Sequence, residues 1–221
     1  MATWTLIGVN VFIFLYQLTL PGPYLEQIVY LFGIVPSRYT HPFWAARVGF
    51  PAHTYWPFVT SMFLHGGWFH IISNMWTLWI FGDNVEDRMG PVRFLLFYLI
   101  CGVVAALIHL LTHFNSTMPV IGASGAIAGV LAAYLFSFPF ARILCLIPIF
   151  FYPLFIEVYA FLFVLIWFFS QFWSGTLSLM EPGHAGGIAW WAHIGGFAMG
   201  AAVFRMFVRE KPARKKLPVD G

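Results

Sequence analysis

The sequence predicts an all-α membrane protein, folded as a single bundle of six transmembrane helices. Of its 221 residues, 61% are hydrophobic and only 9% are charged, whereas soluble domains carry roughly 25% charged residues. The apolar residues form continuous runs, several of which reach the roughly 20 residues that a helix needs to cross a bilayer. These runs lack the strict alternation of membrane β-strands. Because backbone groups in lipid must pair internally, continuous apolar runs favour helices over an open sheet.

Six predicted spans account for most of the chain, which we interpret as one membrane domain over residues 1–221. The spans cover approximately residues 4–20, 65–81, 92–112, 123–139, 155–173 and 188–208. The first is interpreted as a retained span, since it lacks the basic region and cleavage site of a signal peptide. The connection 21–64 is rich in aromatic residues, proline and glycine, which is typical of a loop at headgroup level. Pro148 and Pro153 interrupt the apolar segment 143–154, so we expect a short surface element there.

The basic residues predict the orientation of the bundle. With both termini in the cytoplasm, nine lysine and arginine residues fall in cytoplasmic segments and only Arg38 and Arg47 fall outside. The nine are Arg88, Arg93, Arg142, Arg205, Arg209, Lys211, Arg214, Lys215 and Lys216. This excess follows the positive-inside rule, and the basic tail over residues 209–221 is expected to contact anionic lipid headgroups. No basic patch interleaves with stacking aromatic residues, so nucleic acid is not an expected partner.

Neither a cofactor nor a metal is predicted. Cys101 and Cys145 stand in apolar contexts 44 positions apart, which indicates buried thiols and not a disulfide framework or a metal site. None of the eight histidines shows the paired pattern of haem ligands. The H-E-x-x-H motif of zinc proteases is absent from the sequence.

The first candidate for chemistry is Ser124, in the segment GASGAIAG at the start of the predicted fourth span. Polar groups inside a span are costly and point to function. Gly122 and Ala123 allow a sharp turn, so Ser124 is expected near a helix N-terminus. Free amides and the helix dipole stabilise an oxyanion at such a position. The alternative is that Ser124 only caps the helix.

The second candidate is His193, in the segment AHIGGFAMG of the predicted sixth span. Two glycines, at i+3 and i+7, share its helix face and let another helix approach closely. A matching pair of glycines follows the serine, so contact between the fourth and sixth spans is expected to bring His193 towards Ser124. The packing glycines are Gly196 and Gly200 in the sixth span, and Gly125 and Gly129 in the fourth. The alternative is a histidine with a purely structural role.

The third candidate is the pair His70 and Asn74, which lie four residues apart in the predicted second span. This spacing places an imidazole and an amide on one helix face. Both side chains can donate hydrogen bonds to a developing oxyanion. The alternative is a polar pair that only joins helices of the bundle.

Together, the H-x-x-x-N pair, the G-x-S-G serine and the A-H-x-x-G-x-x-x-G histidine resemble the signature of the rhomboid intramembrane proteases. The resemblance covers the chain from the first span to the last and is closest to the minimal six-span bacterial form. It implies a serine endopeptidase in which Ser124 is the nucleophile and His193 its general base, without a third carboxylate. It also implies an oxyanion hole made of His70, Asn74 and the Ser124 amide. The alternative is a catalytically inactive rhomboid-like protein that binds other membrane proteins.

The resemblance further implies the substrates and the location. Substrates would be transmembrane segments of other membrane proteins, with helix-breaking residues near the membrane surface and a small residue before the cut. The protein would lie in the bacterial inner membrane. Glu86 matches a family glutamate that braces the fold. A hydrated pocket is expected to be lined by polar residues, namely His65, His70, Ser73, Asn74, Gln171 and His193.

Two positions depart from the pattern common in the family. Many members carry Trp-Arg in the first loop, whereas Trp56 is followed here by Pro57. Some members also place an aromatic residue four positions after the serine, stacked on the histidine, where this sequence has Ala128. We expect Trp190 or Trp191 to take over that stacking.

Overall fold

The computed structural model describes residues 1–51, 53–149, 152–180 and 189–209. Within these ranges the chain is mostly helical. The helices are α1 Ala2–Thr19, α2 Gly22–Phe32, α3 Pro36–Thr40, α4 Pro42–Arg47, α5 Pro57–Thr60, α6 Trp68–Met89, α7 Pro91–Thr112, α8 Ser124–Ser137, α9 Ala160–Met180 and α10 Trp190–Phe207. A short 3-10 helix lies at Ser61–Phe63, and two strands, β1 Arg142–Ile149 and β2 Tyr152–Tyr159, form an antiparallel pair.

Long helices occur where spans are predicted, but they differ in how apolar they are. Among the described residues, α1, α7 and α9 are long and apolar enough to cross a membrane, and α8 is a shorter apolar helix. Helices α6 and α10, which carry His70, Asn74 and His193, are not among the three. The count of six spans therefore stays a prediction. The start of the predicted sixth span at residue 188 and the basic residues Lys211, Arg214, Lys215 and Lys216 lie outside the described residues.

The all-α prediction is wrong between α8 and α9, where the chain forms a β-hairpin. Strands β1 and β2 pair in register along their whole length, with Pro148 opposite Pro153. The predicted start of the fifth span at residue 155 is also wrong, since α9 begins at Ala160. The prolines disfavour a helix through residues 148–153, because a proline ring lacks the amide hydrogen that a helix interior requires. The branched and aromatic residues around them favour extended backbone.

Helix α8 occupies the centre of the bundle and buries ten of its fourteen residues. Its small residues let the backbone of α10 contact the backbone of α8 directly. A Cβ atom added to Gly196 would collide with the carbonyl of Gly125, and one added to Gly200 would lie 2.5 Å from the carbonyl oxygen of Gly129. The buried Cys101 of α7 also packs against Gly129. The two glycine pairs thus face each other, as expected for close helix packing in a membrane.

Glu86, near the end of α6, joins that helix to the start of α1. Its carboxylate accepts the backbone amides of Ala2 at 2.7 Å and Thr3 at 2.8 Å. These amides have no acceptor within α1, because they belong to its first turn. Glu86 is buried, so it connects two helices in the interior of the bundle.

The long first connection is ordered around the buried Arg38. Its guanidinium donates to the carbonyl of Leu31 at 3.0 Å and to the hydroxyl of Thr54. The guanidinium carbon lies 4.9 Å from the ring centre of Phe50 and 6.0 Å from that of Trp56, within the range of cation–π attraction. Trp56 therefore has an arginine neighbour from a distant position, although Pro57 follows it in sequence.

Candidate active site

Ser124 and His193 lie in hydrogen-bond contact. The Oγ atom of Ser124 is 2.7 Å from the Nε2 atom of His193. Ser124 is the first residue of α8, while Ala123 occupies the N-cap position and no side chain caps the helix. Ser124 therefore does not act as a cap, and its hydroxyl is directed to the histidine. His193 lies in the first turns of α10, is only 7% exposed, and is carried to the serine by the close approach of α10 and α8.

The segment before Ser124 is anchored by backbone hydrogen bonds. Ile34 and Val120 exchange two bonds, of 3.0 and 2.8 Å, and the Gly122 amide donates to the carbonyl of Ser61 at 2.8 Å. Gly122 has a φ of +125°, a conformation that favours glycine. A Cβ atom at this position would also lie 2.6 Å from Nε2 of His70. Glycine is thus required by both the backbone angle and the neighbouring imidazole.

His70 and Asn74 line the same cavity as Ser124. The Gly66 amide donates to Nδ1 of His70 at 3.3 Å, so the neutral ring carries its proton on Nε2, the atom that faces Gly122. Asn74 donates to the carbonyl of His70 in its own helix, at 2.9 Å. Among the described residues, neither side chain forms a hydrogen bond to another helix. This does not support the alternative that the pair only joins helices of the bundle.

The Ser124 amide is a further donor beside these two side chains. It belongs to the first residue of α8 and therefore has no carbonyl acceptor within its helix. Donors from α6 and α8 thus border the space next to the serine hydroxyl. Such a set can stabilise the oxyanion of a tetrahedral intermediate.

A cavity of about 660 Å³ lies against the serine and the histidine. Its polar lining includes five of the residues expected in a hydrated pocket, namely His70, Ser73, Asn74, Gln171 and His193. The sixth, His65, is buried beside the pocket wall, with its ring 5.0 Å from that of His70. Sequence reasoning missed Ser61, Thr77 and His109, which also line the cavity. His109 could have been found, because it is a histidine inside a predicted span.

His193 also has contacts on the side away from Ser124. Gln171 of α9 lies with its Oε1 atom 2.7 Å from Nδ1 of His193. The ring of Trp167, one turn earlier in α9, is 6.0 Å from the imidazole and tilted by 36°. Trp190 approaches edge-on at 6.4 Å, whereas Trp191 donates to the carbonyl of Gly175 instead. The predicted stacking by Trp190 or Trp191 is therefore wrong, because Trp190 meets the imidazole at a right angle. The ring closest to parallel with the imidazole is that of Trp167, which the sequence did not indicate.

Comparison with known proteins identifies similar chains. A family model described as Rhomboid domain matches residues 52–210. YdcA of Bacillus subtilis (strain 168) is 30% identical over 117 residues, which are 51% of this chain and 58% of that protein. RHOMBOID-like protein 1 of Arabidopsis thaliana is 40% identical over 83 residues, 38% of this chain and 21% of its own length.

A mitochondrial relative is matched over a similar share of the chain. The presenilin-associated rhomboid-like protein of Bos taurus is 34% identical over 101 residues, 45% of this chain and 26% of that protein. This chain therefore covers less than two thirds of the length of each of these three relatives.

Proposed function

The chain belongs to the rhomboid family of integral membrane proteins, and from this premise we propose that it is an intramembrane serine endopeptidase. It cleaves transmembrane segments of other membrane proteins and needs no cofactor. The observation that carries the proposal is the 2.7 Å contact between Oγ of Ser124 and Nε2 of His193 at the wall of a large cavity. A serine paired with a histidine base is the arrangement that activates a hydroxyl for nucleophilic attack.

The first half of the reaction forms an acyl-enzyme. Oγ of Ser124 attacks the carbonyl carbon of the scissile peptide bond, and Nε2 of His193 takes the hydroxyl proton. The tetrahedral intermediate then collapses, the carbon–nitrogen bond breaks, and the imidazolium gives its proton to the leaving amine. The C-terminal part of the substrate departs with a new amino terminus.

The second half uses water from the cavity. His193 removes a proton from a water molecule as that water attacks the ester carbonyl, and the proton returns to Oγ of Ser124 when the ester bond breaks. The polar lining of the cavity supports this step, because a polar site of sufficient size holds water inside a protein. The products are a free carboxylate and the regenerated serine.

The oxyanion of each intermediate is bound by the Ser124 amide, Nε2–H of His70 and the side-chain amide of Asn74. Two features support this assignment: the three groups border one cavity, and the Gly66 amide leaves Nε2 of His70 as a donor. Asn74 uses only one amide hydrogen along its own helix, so its other hydrogen is available to the oxyanion. Preorganised donors of this kind act without reorganisation during the reaction.

We place the protein in the inner membrane of a bacterium, with six spans and both termini in the cytoplasm. The first turns of α6, α8 and α10 then lie at the outer side, together with the reacting atoms. The hairpin with Arg142 and the end of α6 with Arg88 lie at the cytoplasmic side, as the positive-inside rule requires. A cavity open to the outer side gives the reaction access to water that lipid does not supply.

The test is cleavage of a transmembrane reporter with helix-breaking residues near its outer end and a small residue at the expected cut. Purified wild-type protein is expected to cleave the reporter, whereas Ser124→Ala is expected to lose cleavage while keeping its fold. Ser137→Ala is a matched control, because it removes a hydroxyl at the far end of the same helix. Equal cleavage by Ser124→Ala would exclude the serine mechanism. A folded wild-type protein that binds the reporter without cutting it would favour an inactive binder.

A further inference from the structure

We propose that Gln171 of α9 is a positioning residue that holds His193 in the tautomer and orientation needed to accept the proton of Ser124. The inference rests on the proposed serine mechanism and adds a third side chain to it. Gln171 is 6% exposed and His193 is 7% exposed. Their contact, at 2.7 Å, joins two different helices. The neighbours of Gln171 in α9, Ser170 and Phe172, are exposed, so Gln171 is directed into the bundle.

The contacts of Gln171 form a series that ends at the backbone carbonyl of Trp167, and this last acceptor determines the direction of each hydrogen bond. The carbonyl of Trp167 can only accept, so the hydroxyl of Ser170, at 2.6 Å, donates to it. With its proton used there, the oxygen of Ser170 accepts from Nε2 of Gln171 at 3.0 Å. The amide oxygen of Gln171 is thereby turned towards His193.

An amide oxygen opposite Nδ1 fixes the tautomer of the histidine. The oxygen can only accept, so Nδ1 of His193 must carry a hydrogen. In the neutral ring Nε2 is then unprotonated and faces the Ser124 hydroxyl at 2.7 Å. Four hydrogen bonds thus run in one direction, from the nucleophile to a backbone carbonyl of α9.

In a catalytic triad, a carboxylate holds the histidine in the correct tautomer and orientation. Gln171 performs the same function with an uncharged amide. The oxygen of Gln171 orients the ring and faces the hydrogen on Nδ1 when the imidazolium forms, where the amide dipole stabilises the positive charge. A neutral acceptor avoids the cost of burying an unpaired carboxylate. The orientation of the catalytic pair therefore depends on how α9 packs against α10.

The test compares three variants of the full chain in detergent. Gln171→Leu removes the acceptor and is expected to lower kcat by roughly 10- to 100-fold, the rate equivalent of about 1.4–2.7 kcal/mol. This matches the usual contribution of a hydrogen bond to a charged group such as the imidazolium. KM is expected to stay unchanged, because the acceptor oxygen is directed to Nδ1 of His193, on the side of the ring away from Ser124. Gln171→Glu restores an acceptor oxygen and is expected to recover most of kcat. Phe169→Leu is the control on the exposed face of the same helix and is expected to match the wild type.

Two readouts separate positioning from a structural role. Thermal melting of each variant shows whether the fold is kept, and nitrogen NMR of isotopically labelled histidine reports the tautomer of His193 without any turnover. We expect a hydrogen on Nδ1 in the wild type and a mixture of tautomers in Gln171→Leu. A folded Gln171→Leu protein with wild-type kcat and an unchanged tautomer would overturn the inference. If the wild type cleaves nothing, the proposed function fails, while the NMR result still decides the role of Gln171.

Discussion

Helices α8 and α9 both contribute to the candidate active site, yet they are packed in opposite ways. Helix α8 is built of small residues, buries ten of its fourteen positions and touches α10 backbone to backbone. Helix α9 carries bulky residues, many of them exposed, such as Phe169 at 63% and Trp173 at 69%. Its contribution to the site is a side-chain hydrogen bond from Gln171 and the ring of Trp167.

The two helices therefore position catalytic groups in different ways. Direct contact between the backbones of α8 and α10 sets the distance between Ser124 and His193, because no side chain at Gly196 or Gly200 intervenes. Helix α9 sets the orientation of the imidazole through a single polar contact. Substitutions that widen the α8–α10 contact should therefore affect both fold and rate, and those on the outer face of α9 should affect neither.

The largest combined effect, on stability as well as on rate, is expected from Gly196→Leu. Its side chain would collide with the carbonyl of Gly125 and push α10 away from α8. A misplacement of about 1 Å costs roughly 100-fold in rate, and overpacking costs about 1–3 kcal/mol or more in stability. Reporter cleavage and thermal melting measure the two losses. Gly8→Ala is the control, since a Cβ atom there meets no neighbour. Normal cleavage and normal melting in Gly196→Leu would contradict the backbone contact.

The next effect concerns α6, which borders the same cavity. Asn74→Ala removes one proposed oxyanion donor and is expected to lower kcat by roughly 100- to 1000-fold, with residual activity from the remaining donors. Asn84→Ala is a close control, because Asn84 makes the same type of bond to its own helix, at 3.1 Å to Ile80, at an exposed site. Steady-state kinetics on the reporter measure both. An unchanged kcat in Asn74→Ala would remove it from the oxyanion hole.

The smallest effect is expected on the outer face of α9. Trp173→Leu replaces a side chain that is 69% exposed, and exposed substitutions usually change stability by less than about 0.5 kcal/mol. Melting temperature and kcat are expected to match the wild type. A large loss in either quantity would mean that the outer face of α9 makes stabilising contacts comparable to those of α8.

The same contrast explains what the sequence could predict about the site. Ser124 and His193 stand out because each opens a run of small residues with a four-residue spacing, and such spacing reports a helix face directly. The contact of Gln171 with His193 has no such signal. It depends on the rotation and position of α9, which tertiary packing decides, so the sequence suggests only a polar residue near the pocket.

The hairpin shows the corresponding limit for the fold. A short apolar run does not distinguish a strand from a helix, since both can bury it. Pro148 and Pro153 indicated that a helix is interrupted, but not that the flanking residues pair as β1 and β2. The long apolar runs of α1 and α7 were less ambiguous, because strands are rarely of that length.

The central claim is that Ser124 is a nucleophile activated by His193, and covalent labelling tests it most directly. The full chain in detergent is treated with a fluorophosphonate serine probe, digested, and mapped by mass spectrometry. We expect the label on Ser124 in the wild type and in Ser137→Ala, and its loss in Ser124→Ala and His193→Ala. A label on a different serine, or undiminished labelling of Ser124 in a folded His193→Ala protein, would contradict the account.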